Sequence, residues 1–164
     1  IKFKTCSCLI MTADERLISL GIKLPPQPLA AGLYKPLYLD GDLAYFSGHL
    51  PIAFDGNMMT GCVGVDLTQE QATFAARQAG LNILATVKAE FGSLNRVCQV
   101  VKILGLVNAP SNFSQHPQIV NGCSELFRDI WGEDKGIGVR SAFGVSGLPA
   151  NACVEIEGIF KITL

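Results

Sequence analysis

Apolar positions follow two periods along the chain, and these periods separate predicted strands from predicted helices. Two alternating runs meet at Asp40-Gly41 in LYLDGDLAYFSG and predict a β-hairpin. A short strand is predicted at 61–65 and a long β-branched strand at 97–108. The segment GVRSAFGVSGLPANACVEIEGIF predicts two last strands joined by a Gly-Leu-Pro turn.

Helical periodicity occupies three segments. Thr12 and Glu15 predict a capping box for a short helix that ends at Gly21. Thr68 predicts the start of the longest helix, which ends at Gly92 and carries an apolar face of Ala72, Ala76, Ala79, Ile83, Val87 and Phe91. HPQIVNGCSELFRDIWG predicts another amphipathic helix. The order β-β-(β)-α-β-α-β-β predicts an α+β domain, with two helices on one face of a mixed or antiparallel sheet.

The length of 164 residues predicts one domain. We assign 1–28 to an N-terminal extension, because it holds the short helix and the helix-breaking LPPQP stretch, and 29–164 to the domain itself. The first ten residues, IKFKTCSCLI, show no clear cleavage pattern of a targeting segment.

Composition narrows the class of protein. Apolar residues make up 49% and charged residues 16% of the chain, which indicates either a rich core or a surface covered by self-association. A net charge of −1 disfavours nucleic-acid binding, and we expect no membrane span. Six scattered cysteines without a C-x-x-C pair, and only two histidines, favour reduced thiols in a cytoplasmic protein over a disulfide framework or a zinc site.

Three charges stand out in the last two strands. Alternation places Glu155 and Glu157 on a side that helices would not cover, whereas Arg140 shares its side with the small residues Ala142 and Gly144. From the pattern alone, Arg140 either pairs across strands with one of the glutamates or belongs to a ligand site. Subunits packing on the uncovered face would provide the concave setting that such a site needs.

Two sequence blocks carry a family resemblance. GDLAYFSGHLP is similar to G-x-x-x-x-x-S-G-Q-x-P, and VRSAFGVSGLPANACVEIEGI is similar to R-S-x-x-x-V-x-x-L-P-x-x-x-x-V-E-I-E-x-I. The chain resembles the Rid (YjgF-like) family of reactive-intermediate imine deaminases, also called L-PSP endoribonucleases, from about Tyr34 to its end. The ERLISLGIKLPP and NFSQHPQIVNG segments indicate a longer branch of this family.

The resemblance implies a chorismate-mutase-like fold in a homotrimer, with a central β-barrel and active sites between subunits. It also implies cofactor-free hydrolysis of 2-imino acids, the tautomers of 2-enamino acids, to 2-keto acids and ammonia. The implied ligand is therefore a small 2-imino acid or a related carboxylate, with no metal and no organic cofactor.

The resemblance also assigns residues. Arg140 matches the arginine that binds the substrate carboxylate, and Glu155 matches the acid that orients or deprotonates the attacking water. Tyr34 matches the aromatic residue that closes the pocket from a neighbouring subunit. Gly48 and Ala142 fall where main-chain groups bond the substrate nitrogen or the water.

Other positions depart from the family pattern. Ala142 replaces a frequent Cys, and His49 replaces the usual Gln, so His49 is a candidate either as a histidine at the pocket rim or as a general acid. Phe113 is a further candidate for the pocket lining, although most aromatic residues in such segments serve the core. We assign Glu157 to an interface or a cross-strand pair and His116 to a structural role.

The chain fits three functions to different extents. Arg140 together with Glu155 favours an imine deaminase, whereas a trimeric binding protein for a small carboxylate would need only the arginine. An endoribonuclease fits less well, because the chain lacks a basic surface and a recognisable acid–base pair of histidines.

Overall fold

The computed structural model describes residues 11–163, which form a five-stranded sheet with the two long helices on one face. The strands are β1 (Leu37–Asp40), β2 (Leu43–His49), β3 (Val97–Asn108), β4 (Val139–Val145) and β5 (Val154–Ile162). The helices are α1 (Ala13–Ser19), α2 (Gln69–Phe91), α3 (His116–Trp131) and α4 (Glu133–Gly136). The sheet order is β1-β2-β5-β3-β4. Only β3 and β4 are parallel, so the sheet is mixed and the predicted α+β class is confirmed.

Local sequence signals set the helix ends as predicted. The hydroxyl of Thr12 accepts the Glu15 N–H, and the Glu15 carboxylate accepts the Thr12 N–H in return. Thr68 and Gln71 form the same capping box at the start of α2, and Gly92 ends α2 with φ +75°. Such caps satisfy N–H groups that the first helical turn leaves unpaired. The two residues of each capping box lie within four positions of each other, so the local sequence is enough to define where these helices begin.

The core lies between the sheet and the layer of α2 and α3. The β5 residues that face this layer are buried, namely Val154, Ile156, Gly158, Phe160 and Ile162. The ring of Phe160 contacts those of Phe46, Phe127 and Trp131, with centroids 4.7–5.6 Å away. All apolar-face residues predicted for α2 are buried or partly buried. The arrangement of both helices on one sheet face is thus confirmed.

One local prediction is wrong, and one short helix was not predicted. The segment 61–65 is not a strand: Gly61 and Gly64 adopt φ +121° and +86°, and only isolated bridges form at Thr60 and Val63. Positive φ values interrupt the extended conformation that a strand requires. The short helix α4 was not predicted, because its four residues are too few for a periodic pattern.

Arg140 and the two glutamates lie on opposite faces of the sheet. Arg140 is opposite Ile103 in β3, whereas Glu155 is opposite Leu106, and residues three apart in a regular strand face opposite ways. Ile103 is buried beneath the helices, so Arg140 points towards α3 and Glu155 points to the uncovered face. The alternative of a cross-strand pair between Arg140 and either glutamate is therefore wrong.

The close approach of α2 and α3 depends on a glycine. A Cβ atom at Gly122 would overlap the Thr73 carbonyl oxygen, which is backbone and cannot move aside cheaply. We expect Gly122→Ala to lower the free energy of unfolding by about 2 kcal/mol, despite the better helix propensity of alanine. Chemical denaturation measures the change. Gly147→Ala, where a Cβ would meet open space, is the control and should change stability little; equal stability of the two variants would contradict this account.

Candidate functional site

Arg140 lies in a cleft between the edge strand β4 and α3. Its Nη1 donates to Asn121 Oδ1 at 2.8 Å and to Ser124 Oγ at 3.0 Å. The cleft has a volume of about 400 Å³, and Glu125, Arg128 and the backbone around Gly138 complete its walls. Within residues 11–163, no carboxylate lies within 4.0 Å of the guanidinium. A half-buried arginine without an acidic partner is a group that can bind an anion.

Glu155 lies against Gly48 on the uncovered face. A Cβ atom at Gly48 would overlap the Glu155 carboxylate, so only glycine allows this approach of β2 to the side chain. Burial raises the pKa of Glu155 above its ordinary value, and the negative charge of Glu157 raises it further. A carboxylate with a raised pKa beside a main-chain segment is suited to exchange a proton with a bound water.

His49 ends β2 and is 5% exposed. Its Nδ1 donates to the Ser47 carbonyl at 2.7 Å, and its Nε2 is hydrogen-bonded to the Thr86 hydroxyl at 2.8 Å, which also lies 3.1 Å from the Asn82 carbonyl oxygen. Neighbouring amides of α2 bind the next loop residues: Asn82 Nδ2 donates to the carbonyls of Leu50 and Ile52. Both ring nitrogens are thus occupied inside the protein. The prediction that His49 lines the substrate pocket stays a prediction, and its observed contacts are those of a residue that positions β2.

The burial of His49 should make the stability of the protein depend on pH. Desolvation lowers the pKa of His49 below its ordinary value of 6.5. As pH falls below that value, the unfolded chain therefore takes up a proton that the folded protein resists. We expect the free energy of unfolding to fall with pH in this range and His49→Gln to show a shallower fall. Denaturation midpoints from pH 8 to pH 5 measure this, and identical slopes for both proteins would contradict it.

The other predicted site residues divide between two further clefts. Tyr34, half exposed, shares a small cleft of about 70 Å³ with Gly48 and His49. Phe113 lies in a different cleft of about 510 Å³, where its ring meets that of His116 edge-on at 5.2 Å. Ala142 lies on β4 and packs partly buried against the core. One copy of the chain therefore brings Tyr34 and Gly48 together, with Glu155 packed against that glycine, but leaves Arg140 and Phe113 apart from them.

Residues 11–163 contain no group of three or more His, Cys, Asp or Glu side chains placed to hold a metal ion. None of the helices in this range is both long enough and apolar enough to cross a membrane.

A family model described as "YjgF/chorismate_mutase-like, putative endoribonuclease" matches residues 14–157. The chain belongs to this family. It is 36% identical to Protein TCP17 of Trypanosoma cruzi over 87% of this chain and 89% of that one. It is 32% identical to a 2-iminobutanoate/2-iminopropanoate deaminase of Dermatophagoides farinae, over 92% and 98% of the two chains. The crystal structure of Atu1372 from Agrobacterium tumefaciens, of unknown function, superposes with a TM-score of 0.83 at 37% identity, covering 93% and 94%.

Membership of the YjgF/Rid family confirms the resemblance that the two sequence blocks indicated. Sequence reasoning nevertheless missed Asn121 and Ser124, the two residues that hold Arg140. A signal was present, because asparagine and serine are poor helix-interior residues and these two lie three apart on α3. The sequence could not show which residue these two side chains would contact, since the contact depends on the crossover connection that brings α3 over β4.

Proposed function

We propose that this chain hydrolyses 2-imino acids and their 2-enamino tautomers to 2-keto acids and ammonia, without a cofactor, at sites between the subunits of a homotrimer. The observation that carries the proposal is the guanidinium of Arg140, which faces a cleft and has no carboxylate within 4.0 Å among residues 11–163. The deaminase of Dermatophagoides farinae, similar over nearly its whole length, supports the choice of reaction.

In this reaction the protein has to place the imine and the attacking water more than it has to activate them. Arg140 binds the substrate carboxylate, and the carboxylate of Glu155 takes a proton from water as the water oxygen bonds to the imine carbon. The C=N electron pair moves to nitrogen, which gains a proton to give a carbinolamine. The hydroxyl proton of the carbinolamine is then transferred to nitrogen as the C–N bond breaks, which releases ammonia and leaves the 2-keto acid. Main-chain groups at Gly48 and Ala142 bond the water or the nitrogen, and Tyr34 closes the pocket.

Two copies are needed because one copy points Arg140 and Glu155 to opposite faces of its sheet. The uncovered face is also apolar for an exposed surface: Tyr38, Val139 and Phe143 are 60%, 69% and 47% exposed. Large exposed apolar residues on one sheet face are characteristic of an interface. Packing of this face in a trimer, with the sheets in a central barrel and the edge strand β4 of one copy beside the uncovered face of the next, would bring Arg140 of one copy near Glu155 of the next. Phe113 remains a predicted member of this pocket.

A second function is a binding protein for a small carboxylate. It is favoured by the position of Glu155, which does not line the cleft of Arg140 in the same chain. In such a protein, the arginine would hold a ligand that no carboxylate attacks. Ligand binding that survives Glu155→Gln is expected of both functions, but only the deaminase loses turnover in that variant.

An ammonia-release assay tests the proposal. An amino-acid dehydratase generates 2-iminobutanoate in situ. The assay measures the ammonia released over time, together with the imine that a trapping reagent captures before it is hydrolysed. We expect the purified protein to accelerate hydrolysis well beyond the rate in buffer. A rate equal to that in buffer, with correctly folded protein, would refute the deaminase.

A further inference from the structure

The hydrogen bonds of Arg140 determine which edge of its guanidinium is available. A guanidinium carries five N–H donors, two of them on Nη1. Nη1 donates to Asn121 Oδ1 and Ser124 Oγ, which accounts for both of its hydrogens. Among residues 11–163, no acceptor is bonded to Nε or Nη2. The edge formed by Nε and Nη2 is therefore the one left for a ligand.

The two acceptors act together because of their spacing on α3. Asn121 and Ser124 are three residues apart in a helix, so their side chains lie on the same side, one turn apart. Both residues and Arg140 line the same cleft. The amide of Asn121 presents its oxygen to the arginine, which directs its NH₂ group elsewhere. Two acceptors on one nitrogen oppose rotation of the planar group about the Cδ–Nε bond.

We propose that Ser124 is a positioning residue that locks the Nη1 end of Arg140, so that a substrate carboxylate binds side-on to Nε and Nη2. This inference rests on the proposed function and adds to it the binding mode and a residue that acts through Arg140. The hydroxyl of Ser124 accepts from the arginine and so keeps its own hydrogen to donate, and Ser124 lines the same cleft.

Loss of the hydroxyl has a defined consequence. Ser124→Ala leaves one Nη1 hydrogen without an acceptor, and the guanidinium then gains rotational freedom that carboxylate binding must remove. The reaction step itself does not involve Ser124. We therefore expect weaker ground-state binding and little change in turnover once substrate is bound.

Binding of 2-oxobutanoate, the product keto acid, tests the inference without turnover. Titrations followed by amide NMR shifts compare the wild-type protein with Ser124→Ala, Ser124→Thr and the control Gln118→Ala, an exposed position on α3. We expect about tenfold weaker binding for Ser124→Ala, recovery in Ser124→Thr and no change in the control. Steady-state assays should show a matching rise in KM with kcat within about threefold.

The possible outcomes distinguish the positioning role of Ser124 from the proposed function. If wild-type protein binds 2-oxobutanoate and Ser124→Ala binds it equally well, the positioning role is overturned and the proposed function stands. Equal weakening in the alanine and threonine variants also overturns it, because threonine retains the hydroxyl. If the wild-type protein binds no 2-oxobutanoate and accelerates no hydrolysis, both the role and the proposed function fail.

Discussion

Arg140→Ala is expected to lower kcat/KM for 2-iminobutanoate by about a hundredfold or more, because the substrate carboxylate loses a two-point, charge-assisted contact. Most of the loss should lie in KM and in the binding of 2-oxobutanoate. Arg140→Lys should recover only part of it, since an ammonium group keeps the charge but lacks the planar fork. The assay is ammonia release at varied substrate concentration, with circular dichroism to establish that each variant is folded.

Arg128→Ala is the matched control for charge alone. Arg128 lines the same cleft but is exposed and donates to Asp129 at 3.1 Å. We expect its removal to change kcat/KM by no more than about threefold, as for a screened surface charge. An equal loss in the Arg128 and Arg140 variants would mean that the cleft acts through its positive potential. A folded Arg140→Ala protein with wild-type activity would contradict the assigned role of Arg140.

Glu155→Gln is expected to lower kcat by about a hundredfold or more while 2-oxobutanoate binding stays close to that of the wild type. The amide has nearly the shape of the carboxylate but cannot accept a proton from water. This separation of binding from turnover also distinguishes the deaminase from a carboxylate-binding protein. Retained turnover in a folded Glu155→Gln protein would remove the assigned base.

Glu157→Gln provides the control on the same sheet face. Glu157 is exposed, and its charge contributes to the raised pKa of Glu155. Its removal should lower the pKa of Glu155, so the unprotonated base would persist to lower pH. The acid limb of the plot of kcat against pH would therefore shift to lower pH. Turnover near neutral pH should remain. A limb that moves to higher pH would contradict this electrostatic account.

Local chemistry explains why much of the fold could be predicted. The capping boxes at Thr12 and Thr68 and the span of β3 each depend on residues close in sequence. The predicted strand at 61–65 failed because its glycines take positive φ values that composition does not reveal. Alternation correctly placed Glu155 and Glu157 on the uncovered face.

The candidate site could be predicted only in part, since its geometry is tertiary. The family motif identified Arg140 and Glu155, fifteen residues apart, but not that they face opposite ways. That fact follows from the register, which sets Arg140 opposite Ile103 and Glu155 opposite Leu106 in β3. The contacts from Asn121 and Ser124 likewise require α3 to cross over β4.

A mixture of two impaired variants, assayed at a substrate concentration well below the wild-type KM, tests the central claim that Arg140 and Glu155 act together from different copies of the chain. Arg140→Ala and Glu155→Gln subunits are co-expressed in equal amounts with different tags, and doubly tagged assemblies are purified. If each site takes its arginine from one subunit and its glutamate from the next, every trimer that contains both variants has one intact site, which is about a third of its sites. We expect ammonia release to recover to about that fraction of the wild-type rate. Assemblies no more active than either variant alone would contradict the claim.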